Sequence, residues 1–187
     1  MIILQNKQNK GKKMKLYHYA PKGNTVLEKG LLSFAKNPDA NLKYYIRRSG
    51  SSTFKGILRW FESCFKGRSR AVRVFTEPIQ WNKNSLSLKD FVEKADLFSI
   101  DIDALQRDGL IDDIYFSPSV ANMPNLRESN NADEVLIRLY GLNDISQYPI
   151  DWSLCNDKLH HRFEFVPYYL LIIKGGIISP KYIKLES

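Results

Sequence analysis

The chain has 187 residues, 43% of them apolar, and a formal net charge of +8. That length and apolar content support one domain with a real core, which excludes an intrinsically disordered protein. No run of about 18 consecutive apolar residues occurs, so the sequence offers no membrane-spanning helix.

Half of the net charge comes from Lys7, Lys10, Lys12 and Lys13, with no acidic residue before Met14. The opening MIILQNKQNKGKKMK does not read as a signal peptide, because its apolar part is short and precedes the basic part. Residues 1–14 are expected to be a basic, disordered leader, and residues 15–187 a single domain. The expected compartment is the cytoplasm, or the exterior by a route that leaves no classical signal peptide. Cys64 and Cys155 form no CxxC pair and read as free, buried thiols of a cytosolic protein, a single disulfide being the alternative. His160 and His161 are adjacent and so diverge on a strand or helix, which argues against a zinc site.

Lys15 to Ala20 read as a strand stopped by Pro21. Asn24 is a candidate N-cap for a two-turn helix through Val26 and Leu27, ended by Gly30, after which Leu31 and Leu32 re-enter the core. Residues 33–52 are polar. Phe54, Ile57, Leu58, Phe61 and Phe65 then share one helical face. Arg47, Arg48, Lys55, Arg59, Lys66, Arg68 and Arg70 surround that helix, and with Tyr44, Tyr45 and Trp60 they form a basic, aromatic stretch suited to a phosphate backbone or a nucleotide.

Ala71 to Ile79 alternate as a strand closed near Pro78. Residues 85–96 read as a helix capped by Ser87, Leu97–Ile102 as a strand followed by a turn or helix with Leu105, and Ile114–Ser117 as another strand. Val135, Leu136, Leu139 and Tyr140 have helical spacing between Asn131 and Gly141. Residues 162–187 supply two or three strands around Lys174-Gly175-Gly176, a hairpin signal. Strands and helices do not alternate regularly, and GxGxxG, GxxxxGK[ST], GxSxG and HExxH are absent. The class predicted is α+β, with a mostly antiparallel split or two-sheet core.

LYHYAPKGNTVLEKGLLS resembles the N-terminal signature of the ADP-ribosyltransferase-like superfamily, in its histidine-tyrosine-glutamate, diphtheria-toxin-like branch. Leu16, Tyr17, His18, Asn24, Leu27, Gly30, Leu31 and Leu32 carry the resemblance, and YLLIIKGGIISPKYIKL is similar to the closing strands of that family. The resemblance implies the split two-sheet core with short peripheral helices, and NAD as substrate. It implies that His18 bonds a ribose of NAD, and that the backbone of Tyr19 and Ala20 clamps the nicotinamide amide. It further implies a tyrosine stacked on the nicotinamide and a carboxylate that stabilises the oxocarbenium-like state.

Tyr115, close to Ser117 in IYFSP, is the first candidate for the stacking tyrosine, with Tyr44 and Tyr45 as competitors. Glu164 in FEFVP is the first candidate carboxylate, followed by Glu134 and Glu77. The register usual in the family would place the glutamate at position 169, where this chain carries tyrosine. The implied activity is that of an NAD-dependent mono-ADP-ribosyltransferase, of the kind found in bacterial toxins and effectors, acting on a macromolecular acceptor. The alternative is a non-catalytic nucleic-acid-binding or interaction module on the same scaffold, gripping nucleic acid through Arg47, Arg48, Arg59, Arg68 and Arg70.

Overall fold

The computed structural model describes residues 14–37, 46, 49–118, 136–155 and 166–186. They form an α+β protein whose strands pair antiparallel. The first strand, β1 (Lys15–Pro21), pairs along its whole length with β4 (Ala95–Asp101), from Lys15 opposite Asp101 to Pro21 opposite Ala95. Short β9 (Ile183–Leu185) covers the other edge of β4. A second sheet has the order β3 (Ala71–Val74), β7 (Tyr168–Ile173), β5 (Ile111–Ser117), β6 (Ile137–Leu139). Leu31–Leu32 (β2) pair with Ile177–Ile178 (β8) as a separate two-residue ladder.

The β7 sequence YYLLII is apolar throughout because it is central, flanked on both edges and buried at every position. On one face its Tyr169 and Leu171 meet Val72, Val74, Ile114, Phe116 and Leu139, the heart of the main core. Short helices close that core: α1 (Val26–Lys29), α3 (Leu86–Glu93) with Leu88 buried, and α4 (Ile102–Arg107) with Ile102 and Leu105 buried. Asp101 starts α4 by accepting the Ala104 amide at 2.9 Å.

The longest helix, α2 (Phe54–Cys64), lies apart on a small cluster of its own, where Ile57 and Phe61 pack with Phe34. Thr53 caps it by accepting the Gly56 amide at 3.1 Å. The Glu62 carboxylate then folds the following turn, taking the Gly67 amide at 2.7 Å and the Ser69 amide at 3.2 Å and hydroxyl at 2.5 Å. Arg70 anchors the turn to β5 through Asp112 at 2.5 Å.

Several expectations are corrected. Leu139 and Tyr140 do not continue a helix: Ile137–Leu139 is a strand against β5, with Leu139 in the core and Tyr140 90% exposed. The spacing of these apolar residues fits either period, and the unpaired edge of β5 decides between them. Lys174-Gly175-Gly176 is not a hairpin. Both glycines have φ of +72°, and this 3-10 turn sends the chain from β7 across to β2.

Ser85, not Ser87, is the N-cap of α3, and Thr25, not Asn24, that of α1, although the Asn24 side chain does accept the Val26 amide at 3.0 Å. Helix α1 has one turn, not two. Phe65 lies beyond α2, and Phe54 is 37% exposed. Cys64 is exposed while Cys155 is buried, and both are free thiols. Among the described residues no helix is long and apolar enough to cross a membrane.

Candidate functional site

Among the described residues the two large sheets are joined by one backbone bridge, where Tyr17 and Phe75 exchange hydrogen bonds of 2.7 and 2.8 Å. Both bonds at Tyr17 are directed to Phe75. By the alternation of an antiparallel ladder, the backbone groups of Tyr19 also face that edge, and those of His18 and Ala20 face β4. A continued β1–β3 ladder would next join the Tyr19 amide to the Arg73 carbonyl. Instead the His18 Nδ1 lies 2.7 Å from that carbonyl oxygen. The imidazole thus ends the ladder and the sheets part.

Two consequences follow for the chemistry of the split. A carbonyl only accepts, so His18 Nδ1 donates and the unprotonated Nε2 is left as an acceptor. Burial holds the His18 pKa below its ordinary 6.5, the Arg73 carbonyl working against that shift and the Arg73 charge adding to it. The ring is therefore neutral at pH 7. Next to it, the Tyr19 amide and carbonyl point into the split, and among the described residues neither has a backbone partner. An unpaired peptide group of this kind offers one donor and one acceptor.

The Tyr19 side chain has a different task. It is 8% exposed, packs edge-on against Phe75 and Phe91, and its hydroxyl accepts the Ile79 amide at 3.0 Å. Ala20 is 6% exposed, with its backbone committed to β4. The backbone groups of Ala20 thus face β4 while those of Tyr19 face the split.

Arg73 and Tyr168 complete the neighbourhood, and sequence reasoning missed both. On β3, Val72 and Val74 turn to the core, so Arg73 faces outward on the other side of the sheet. There its guanidinium carbon lies 3.9 Å from the centroid of the Tyr168 ring. Ser117, 6% exposed, stands directly opposite Tyr168 in the β5–β7 register and on the same face. Tyr115 shares that face, but Leu170 separates it from Arg73, two strand spacings or about 10 Å away. Its ring packs on Phe65 at 4.4 Å, and its hydroxyl pKa is raised, by burial first and by Asp113 second. The signal that could have marked Arg73 is its position: a lone cation inside the alternating strand AVRVF.

The expected carboxylates separate clearly. Glu77 is committed to the core side, where it accepts the Trp152 indole N–H at 2.8 Å beside the Phe75–Trp152 ring pair. Position 169, the family register of the glutamate, is a wholly enclosed tyrosine whose hydroxyl donates to the carbonyls of Ile145 and Tyr148. Glu164 and Glu134 lie outside the described residues, as do Tyr44, Tyr45, Arg47, Arg48, His160 and His161.

Of the basic stretch, Lys55, Arg59 and Lys66 are exposed, Arg68 lies over the Phe61 and Phe65 rings, and Arg70 is bound to Asp112. Among the described residues no group of histidine, cysteine and carboxylate side chains could hold a metal ion. Comparison with protein-family models, with curated proteins and with solved structures gave no significant match.

Proposed function

We propose that the chain is an ADP-ribosyltransferase-like protein that binds NAD where the two sheets part and transfers ADP-ribose to a macromolecular acceptor. The observation that carries this reading is the His18–Arg73 contact, which gives a neutral imidazole whose acceptor nitrogen, like the neighbouring Tyr19 peptide group, has no hydrogen-bond partner among the described residues. These groups fit the ligand. His18 Nε2 accepts a ribose hydroxyl, and the Tyr19 amide and carbonyl together match a primary carboxamide, which both donates and accepts.

NAD supplies a glycosidic bond whose cleavage leaves positive charge on the ribose carbon. The chain must hold that ribose, exclude water and place a carboxylate beside it. Glu77 is bound to Trp152 and position 169 carries no carboxylate. Glu164 and Glu134 remain, and Glu164, the first candidate of the sequence and four residues before Tyr168, is the carboxylate assigned to this role. The test is calorimetric titration with NAD, together with nicotinamide release by wild type and by His18→Ala and Glu164→Gln.

A second reading, a non-catalytic nucleic-acid-binding module, is favoured by one observation: α2 exposes Lys55 and Arg59 one turn apart, and Lys66 just beyond its end is exposed as well. Binding of duplex or single-stranded nucleic acid that weakens steeply with salt, without NAD turnover, would support it instead.

A further inference from the structure

We propose that the turns at residues 33–36, 66–70 and 174–176 form one basic face that holds the phosphate backbone of a nucleic acid. The inference rests on the nucleic-acid reading above, gives it a surface other than α2, and does not depend on NAD turnover.

Backbone bonds make the three turns one unit. The Ser33 amide donates to the Gly176 carbonyl at 2.9 Å, and the Ala35 amide to the Ser69 carbonyl at 3.0 Å. Arg70 Nη1 donates to the Ile173 carbonyl at 3.2 Å, one residue before Lys174. Gly176 lies between the other two turns: a Cβ there would stand 3.4 Å from Lys36 Cγ and 3.6 Å from Arg70 Cγ. With a φ of +72° and no side chain, it lets both cationic stems close on the turn that carries Lys174.

Charge is the second argument. Lys36, Lys66 and Lys174 are exposed, and among the described residues none of them has an ion-pair partner. Arg70 balances Asp112. That leaves three ammonium groups against one carboxylate of the junction, Glu62, whose oxygens are taken by the Gly67 and Ser69 amides and the Ser69 hydroxyl.

The chemistry of the partner follows. Ammonium groups on flexible stems act as point charges, and they suit repeated phosphates whose condensed counterions they release. Contacts of this kind supply affinity without reading sequence. An anionic bilayer is the weaker match, because stable attachment to it takes a second, apolar signal besides basic charge.

The experiment is fluorescence-anisotropy titration of a labelled, mixed-sequence DNA duplex over a series of salt concentrations, without NAD. Wild type is compared with Lys36→Gln/Lys174→Gln and with Lys55→Gln/Arg59→Gln on α2. Lys22→Gln/Lys83→Gln, at two exposed lysines outside the junction, makes the same change in net charge. Circular dichroism and thermal unfolding verify that each variant is folded. The face predicts that Lys36→Gln/Lys174→Gln weakens binding at least about tenfold at low salt and lowers the slope of log affinity against log salt by about 1 to 2. Lys22→Gln/Lys83→Gln should lose much less.

Equal losses in those two variants would reduce the effect to net charge and overturn the face. Loss confined to Lys55→Gln/Arg59→Gln overturns the face and leaves the nucleic-acid reading standing on α2. Failure of wild type to bind the duplex overturns both, and binding to phosphatidylserine vesicles in its place would make the partner a membrane. Nicotinamide release is measured separately and decides the NAD reading alone.

Discussion

The imidazole of His18 occupies the Arg73 carbonyl at 2.7 Å, the acceptor that a continued strand ladder would give to the Tyr19 amide. One side chain thus separates two sheets and leaves a peptide group facing the gap. Removing it in His18→Ala leaves a part-buried carbonyl without its donor, and the cost to folding is expected to be about 1 kcal/mol. Urea unfolding at pH 7.5 measures this, and wild-type stability in the variant would show that the bond does not hold the split.

Stability should depend on pH through the same ring. The folded-state pKa of His18 lies below 6.5, so the folded imidazole refuses a proton that the unfolded chain accepts. Above about pH 6.5 the ring is neutral in both states and its contribution is complete. As pH falls below 6.5, the unfolded state binds more protons and stability declines until the lower folded pKa is reached. Urea midpoints between pH 7.5 and 5 should therefore fall more in wild type than in His18→Gln. Equal slopes, or a His18 resonance titrating at or above 6.5, would contradict this.

Tyr169 stands where the family resemblance would place a glutamate, and it is enclosed in the core with its hydroxyl donating to two carbonyls. Burial raises its pKa, so the hydroxyl stays protonated and keeps its donor. Tyr169→Phe leaves those acceptors without their donor and should cost about 1–2 kcal/mol. Tyr169→Glu introduces a carboxylate into an apolar site and should cost several kcal/mol more. It should also raise NAD turnover no higher than that of wild type. A Tyr169→Glu protein with wild-type stability would show that the position opens onto the split.

Gly30 ends α1 at a φ of +82°, and a Cβ there would lie 2.2 Å from the Ile178 carbonyl oxygen. The obstacle is the backbone of the β2–β8 pair, which cannot swing aside as a side chain would. Gly30→Ala should destabilise by more than Gly23→Ala, where φ is +78° but nothing lies within 4 Å. For Gly23 the expected cost is the backbone strain alone, about 1–2 kcal/mol. Thermal unfolding of the pair decides, and equal losses would mean that the close approach to Ile178 is unimportant.

Glu62 connects α2 to the turn that carries Arg68 and Arg70. Burial opposes its ionisation, but bonds from the Gly67 amide and from Ser69 outweigh this and hold its pKa below the ordinary 4.5. Its contribution is complete above about pH 4.5 and is lost as pH falls through the lower folded value. The side chain is exposed, so Glu62→Gln is expected to cost only about 1 kcal/mol at pH 7. The difference between variant and wild type should shrink as pH falls below 4.5, as acid titrations of unfolding would reveal, and a difference that does not change with pH would contradict this.

Much of the fold was legible because local pattern and tertiary environment agree. Leu16 and Ala20 are buried on β1, Pro21 ends it, and Val72 and Val74 alternate inward as read. Legibility failed where one pattern serves two periods. Leu139 fits a helical stripe, yet β5 needs a partner and makes it a strand. The paired glycines at 175 and 176 marked a turn, but nothing local says that the chain leaves one ladder for another, from β7 to β2.

For the site, His18 stood out as a histidine in an otherwise apolar and aromatic strand. Its partner is a backbone carbonyl 55 residues away, which no side-chain pattern encodes. Arg73 and Tyr168 meet through strand register, a long-range property, and so escaped notice.

The most direct test of the central claim is nicotinamide release from NAD by the purified protein. Wild type, His18→Ala and Glu164→Gln are compared in parallel, with NAD affinity measured by calorimetry. The account predicts that wild type binds and turns over NAD, that His18→Ala loses both affinity and turnover, and that Glu164→Gln retains affinity while losing turnover. Absence of NAD binding by folded wild-type protein would contradict it.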